Sequence, residues 1–156
     1  LARRRVGEAG AVTGIDASPE MIEVARANAA HDGQIVDFRQ GVIEALDFPD
    51  QSLDVVLSSL MFHHLPGDLQ EQGLSEIYRV LKPGGRLLVV DLMRPNGFIG
   101  HLQMTLFFHG ALTHGVEDLP RLMQPLGFEA IEHGRLAIGP IGFVLGRRGI
   151  AADDRP

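Results

Sequence analysis

The sequence predicts an α/β fold: a doubly wound, mostly parallel sheet with an antiparallel strand pair near its C-terminal end. Two observations carry that prediction. Short runs of Val, Ile and Leu alternate with segments of three- and four-residue apolar periodicity, the pattern of strands joined by crossover helices. The residues with chemical potential gather where the runs end, and parallel sheets bind ligands beyond the carboxyl ends of their strands.

The opening Leu1-Ala2-Arg3-Arg4-Arg5 reads as the last turn of a helix, its cations near the terminal carbonyls and the negative end of the dipole. Ala11-Val12-Thr13-Gly14-Ile15-Asp16 is a short apolar run ending in an acid, a buried parallel strand. Ser18-Pro19-Glu20 then starts a helix, with a hydroxyl N-cap, Pro in the first turn and an acid beside it. Met21, Ile22, Ala25 and Ala29 form its apolar face, and His31-Asp32-Gly33 ends it. Residues 35–40 read as a second strand, and residues 53–59, centred on Val55, Val56 and Leu57, as the strongest one.

Residues 69–81 form an amphipathic helix, with Leu74, Ile77, Tyr78 and Leu81 on one face. Lys82-Pro83-Gly84-Gly85 stops it, because Pro cannot continue a helix and Gly accepts positive φ. Residues 86–92 make a further buried strand, residues 98–112 a helix, and residues 116–126 a shorter helix closed by Gly127. Residues 128–133 and 141–145 read as an antiparallel pair, and residues 151–156 carry too little apolar content to be ordered. The carboxyl-edge rule therefore selects Asp16, residues 41–44, residues 58–64 and residues 91–95.

Composition narrows the function. The 156 residues carry 14 basic and 20 acidic side chains, a net charge of −6, without the clustered basic face that a phosphate backbone needs. No nucleic-acid partner is expected. The absence of cysteine removes disulfides, thiolate nucleophiles and cysteine-ligated zinc from these residues. The most apolar window, residues 98–112, is interrupted by His101, Gln103 and His109 and is too short to span a bilayer. No stable membrane insertion is expected, and the cytoplasm is the expected location.

Asp16 at its strand end can accept two hydrogen bonds from a ribose diol; it can equally sit there as an acid near a helix N-terminus. Neighbouring histidines such as His63 and His64 point about 100° apart on a helix and oppositely on a strand, so they chelate poorly. No metal site is expected. One of the two imidazoles could act as a base, or both could be polar residues shaping a loop.

The stretch Gly14-Ile15-Asp16-Ala17-Ser18-Pro19-Glu20-Met21-Ile22, then Phe62-His63-His64-Leu65-Pro66, then Arg79-Val80-Leu81-Lys82-Pro83-Gly84-Gly85-Arg86-Leu87 resembles the class I S-adenosylmethionine-dependent methyltransferases. It is most similar to the small-molecule group that includes quinone-biosynthesis C-methyltransferases. The resemblance covers roughly residues 1–95 and implies a Rossmann-like fold over a domain of residues 1–149, with a tail at 150–156. It also implies S-adenosyl-L-methionine as methyl donor and a small-molecule acceptor.

Carried over by position, Asp16 matches the ribose-binding acid, and Ala17 and Met21 match positions that pack on the adenine. Val42 and Ile43 match the pair at the adenine edge, although Val42 stands where many members have Asp or Asn. Ser58 and Ser59 match the strand end beside the methionine moiety and the transferable methyl, or are small residues closing a strand. The segment 98–112 matches the position of a lid over the acceptor, or is a core helix.

The family's first central strand and its glycine loop would precede Leu1, so the expectation is an incomplete domain. The strands ending at Asp16 and Ser59 should then either meet or leave unpaired backbone, giving marginal stability and weak donor binding. An inactive remnant or a non-catalytic partner-binding module is the alternative. A nicotinamide-dependent dehydrogenase would share only the acid at position 16.

Overall fold

The computed structural model describes residues 2–94, 114–137 and 139–150. The expected helix over 98–112 and the tail at 151–156 lie outside them. Contacts divide the chain into two compact units, Leu1–Asp47 and Phe48–Pro156.

The first unit comprises α1 (Ala2–Val6), β1 (Thr13–Asp16), α2 (Pro19–His31) and β2 (Asp37–Gln40). β1 and β2 pair in parallel from Thr13↔Asp37 to Asp16↔Gln40, so β1–α2–β2 is a βαβ unit. The Arg run acts as expected of cations at a helix C-terminus: Arg3 donates to the carbonyls of Gly7 (2.5 Å) and Gly10 (2.8 Å). α2 starts where Ser18 predicts, the Ser18 hydroxyl accepting the Met21 N–H at 3.2 Å. Its buried face is narrower than its apolar pattern: Ile22 is buried, whereas Met21 is 52% exposed. The second strand begins at Asp37 rather than 35, and Ile35 is exposed. Gly14 lies directly under the Phe38 ring, a close approach that any side chain at this position would block.

The second unit contains β3 (Leu53–Ser59), a 3₁₀ turn (Phe62–His64), α3 (Gly67–Val80), β4 (Leu81–Leu92), a second 3₁₀ turn (Val116–Asp118), α4 (Leu119–Met123), β5 (Phe128–Arg135) and β6 (Ile141–Arg148). Its sheet has the order β3-β4-β6-β5, with β3 and β4 parallel and β6 antiparallel to both its neighbours. The antiparallel C-terminal pair and the parallel β3–α3–β4 crossover match the predicted fold class. Among the described residues β1 pairs only with β2, and β3 only with β4.

Further boundaries differ from expectation. Leu81 leaves the helix and opens β4, opposite Leu53, and Gly84 turns the chain at φ 77° before the register resumes at Val55↔Arg86. The segment expected as one helix over 116–126 is a 3₁₀ turn followed by a five-residue helix. β5 and β6 each run on past their predicted ends, to Arg135 and Arg148.

The core of this unit follows strand alternation. Leu87 and Val89 on β4 and Val144 on β6 are buried with Leu74, Ile77 and Val80 of α3 and Leu119 and Met123 of α4. Gly142 and Gly146 on the same face of β6 let Val116 and Met123 approach the sheet. Val55 and Leu57, of opposite parity on β3, are 52% and 60% exposed. Arg148 closes α3 from across the sheet: its Nη1 donates to the carbonyls of Tyr78, Arg79 and Leu81, and its guanidinium lies 4.6 Å from the Tyr78 ring centroid. Arg79 pairs with Glu76 and Asp50 and donates to the Phe48 carbonyl, tying the loop before β3 to α3. These carboxylates hold its guanidinium well above the ordinary arginine pKa, the hydrogen bonds to Glu76 first and Asp50 second. No helix among the described residues is long and apolar enough to cross a membrane.

Candidate functional site

Asp16, Ala17, Met21, Val42 and Ile43 belong to the first unit; Ser58, Ser59, His63 and His64 belong to the second.

In the first unit the carboxyl ends of β1 and β2 form one edge. The Gly41 N–H donates to the Asp16 carbonyl at 3.0 Å, and the Gln40 side chain donates to the Ala17 carbonyl at 3.1 Å. That pairing brings Asp16 and Ala17 beside Val42, where the chain reverses through a tight turn from Val42 to Ala45 that includes Ile43. Asp16 is exposed, and its Oδ1 accepts the Ser18 N–H at 2.9 Å. Its Oδ2 has no partner among the described residues. Met21 and Val42 are exposed apolar side chains next to this carboxylate in sequence and sheet, 52% and 40% accessible. The Glu20 carboxyl, one residue before Met21, is held below the ordinary carboxylate range by its own backbone amide and then by the Ser18 hydroxyl.

The serines at the end of β3 differ in facing. Parallel register sets Ser58 opposite Val89 and Ser59 opposite Val90, on opposite faces of the sheet. The Ser58 hydroxyl is buried without a hydrogen-bond partner among the described residues, whereas Ser59 is exposed. Beyond them the chain bends sharply at Leu60, whose φ of 54° is a left-handed conformation uncommon for a branched residue. Its N–H bonds the Val90 carbonyl at 2.9 Å, which fixes the bend against β4.

The bend delivers the 3₁₀ turn to a residue that sequence reading placed on the edge but gave no role. Asp91 continues the Leu87, Val89 alternation, so its carboxylate points to the helix-covered face at the very end of β4 and is fully buried. Its Oδ2 accepts the N–H groups of Met61 (3.0 Å), Phe62 (2.7 Å) and His63 (3.4 Å). Its Oδ1 accepts the Leu92 N–H at 2.7 Å and meets His63 Nδ1 at 2.5 Å. Gln70 of α3 secures the other side of the turn, donating to the carbonyls of Phe62 (3.0 Å) and Leu65 (3.1 Å). His63 is thus held from two elements, while His64 beside it, ring centroids 3.8 Å apart, is exposed. The acid ending an alternating buried strand was the available signal for Asp91. No group of three or more His, Asp or Glu among the described residues could hold a metal ion.

The chain resembles known proteins in both sequence and fold. Residues 1–89 match the family described as Methyltransferase domain. An arsenite methyltransferase of Halobacterium salinarum is 38% identical over 138 residues, 85% of this chain and 34% of the relative. The ubiquinone/menaquinone biosynthesis C-methyltransferase UbiE of Escherichia fergusonii is 38% identical over 94 residues, 59% of this chain and 37% of the relative. The chain therefore spans about a third of the length of the curated relatives it matches. A SAM-dependent methyltransferase structure from Methanosarcina mazei superposes with a TM-score of 0.75 at 19% identity, covering 96% of this chain and 87% of the other. The domain match spans more than half of the sequence and agrees with the fold likeness, so the chain belongs to the methyltransferase domain family.

Proposed function

We propose that the chain provides donor- and acceptor-binding residues of an S-adenosylmethionine-dependent methyltransferase acting on a small molecule in the cytoplasm. The observation that carries this reading is Asp16: an exposed carboxylate at the end of a parallel strand, one oxygen fixed by the Ser18 amide and the other open. A carboxylate held in this way suits a ribose diol, because its geometry is set before the ligand arrives. Ala17, Met21, Val42 and Ile43 supply apolar surface for an adenine on the same edge, Met21 and Val42 already exposed for it. With Val at position 42, recognition of the purine amine falls to backbone groups of the 42–45 turn.

Ser58 and Ser59 end the strand where the family places the methionine moiety, and their opposite facing leaves one of the two for that role. When bound, the donor supplies an electrophilic methyl on a sulfonium, whose charge disappears as the new bond forms. The protein's part is then chiefly alignment and exclusion of water. The relatives named for arsenite and for quinone biosynthesis support a small acceptor. So does the net charge of −6, which opposes a nucleic-acid substrate.

A non-catalytic binding module is the second reading. It is favoured by the exposed Val55 and Leu57 and by the single ladder of β3 among the described residues.

Calorimetric titration with S-adenosylhomocysteine separates the two. The 156-residue chain is compared with its Asp16→Ala variant and with a chimera carrying the N-terminal segment of the Halobacterium salinarum relative. Binding that is strengthened in the chimera and weakened at least ~10-fold by Asp16→Ala, about 1.4 kcal/mol, supports the methyltransferase reading. Absence of binding by either form favours the module.

A further inference from the structure

We propose that His63, and not His64, is the base of this site, that Asp91 is its positioning residue, and that the acceptor is a molecule that must give up an O–H or acidic C–H proton as it is methylated. The inference deepens the methyl-transfer reading and rests on it. Every group that meets the Asp91 carboxylate from the backbone is a donor: the N–H groups of Met61, Phe62, His63 and Leu92. A carboxylate so surrounded acts as an acceptor, so the hydrogen of the 2.5 Å contact resides on His63 Nδ1. The neutral imidazole then carries its lone pair on Nε2, the tautomer a proton-accepting base requires.

Burial points the pair outward. The Asp91 side chain is 1% exposed and that of His63 12%, so the dyad reaches its surroundings through the imidazole. His64 makes no hydrogen bond to a carboxylate among the described residues, so nothing there fixes its tautomer. The pair also stands at the carboxyl ends of two adjacent parallel strands, with the strained Leu60 bend aiming the turn.

The proton balance selects the acceptor class. His63 Nε2 takes the acceptor's proton, the freed electron pair forms the bond to the methyl carbon, and the pair of the broken C–S bond remains on the donor's sulfur. The resulting imidazolium faces a buried carboxylate already satisfied as an acceptor. Phenols, enols and comparable carbon acids gain from this arrangement. A soft lone-pair nucleophile such as trivalent arsenic has no proton to lose, and these 156 residues contain no cysteine thiolate to hold it.

The test uses the whole chain with ¹⁵N-labelled histidine. Long-range ¹H–¹⁵N spectra are expected to show His63 protonated on Nδ1 and bare on Nε2, and Asp91→Asn to reverse the tautomer. With 4-nitrophenol as probe, at a pH below the phenol's own pKa, the wild-type chain is expected to bind at least ~10-fold more of the coloured phenolate than His63→Gln, with His64→Gln like wild type. His63→Gln leaves the four backbone donors of Asp91 in place, so it keeps the turn if Asp91→Asn misfolds. An Nε2–H tautomer in the wild type, or equal phenolate signals from wild type and His63→Gln, overturns the proposal. Neither readout needs the methyl donor, so failure of the S-adenosylhomocysteine titration sinks the methyl-transfer reading separately.

Discussion

Replacing Arg148 by Met removes a cation from the end of β6 while retaining most of its apolar stem. Arg148 Nη1 lies 2.7 Å, 3.0 Å and 2.6 Å from the carbonyls of Tyr78, Arg79 and Leu81, the last turn of α3 and the residue after it. One nitrogen carries two hydrogens, so three contacts amount to about two full hydrogen bonds. Charge-assisted bonds contribute roughly 1.5–3 kcal/mol each. The contacts are part-buried and water can reach some of the freed carbonyls, which favours the low end of that range. The stacking on Tyr78 at 4.6 Å adds about 0.5–1 kcal/mol. The expected loss is about 3.5–4 kcal/mol, a large part of the roughly 5–15 kcal/mol that holds a domain folded. Urea denaturation followed by circular dichroism should show a lower midpoint with an unchanged slope. Arg148→Lys should recover only part of the loss, because an ammonium can donate to the carbonyls but lacks the planar group that stacks on the ring. A loss below about 1 kcal/mol at unchanged slope, or full stability in Arg148→Lys, would refute the reasoning.

In the first unit, Gly14→Val places a Cβ 2.6 Å from Phe38 Cδ1 and should cost about 1–3 kcal/mol by overpacking. Phe38→Leu in the same chain should return part of that loss, and additive effects in a double-mutant cycle would argue against the contact. The Glu20 carboxyl, whose folded pKa lies below its ordinary 4.5, stabilises the start of α2 above that value and loses the effect as pH falls through the lower folded pKa. Amide exchange at Met21 should therefore accelerate only in the acid limb and be flat in Glu20→Gln; a Glu20 titration at or above 4.5 counts against this cap.

Much of the fold was legible because local chemistry and tertiary structure agree. Ser18-Pro19 starts α2, the Leu74, Ile77 face of α3 packs as its spacing predicts, and β3 spans the expected residues. The errors have physical causes. Met21 reads as core by periodicity but is exposed, since a helix over a two-stranded sheet buries a narrow stripe. Lys82-Pro83-Gly84-Gly85 reads as a stop, yet Leu81 already pairs with Leu53, because a parallel partner can recruit a residue before the turn. At the site, Asp16 was visible as an acid closing an apolar run. The Asp91–His63 contact was not, because it spans 28 residues and depends on a register and a bend at Leu60 that no local pattern encodes. Strand parity sets the adjacent Ser58 and Ser59 on opposite faces of the sheet.

The order β3-β4-β6-β5 has a consequence for how the second unit comes into being. Its last described strand is an interior one: β6 separates β4 from β5, so β4 lacks its second ladder, and β5 the one ladder it has among the described residues, until residues 141–148 have been made. At translation rates of roughly 5–20 residues per second, β4 must wait several seconds with one edge open. Through that interval the β3–α3–β4 crossover exists without Arg148 to close its helix, and with Val55 and Leu57 facing solvent. Synthesis and assembly thus run in opposite order over the last two strands, and the nascent chain is most exposed to wrong partners just before β6 emerges.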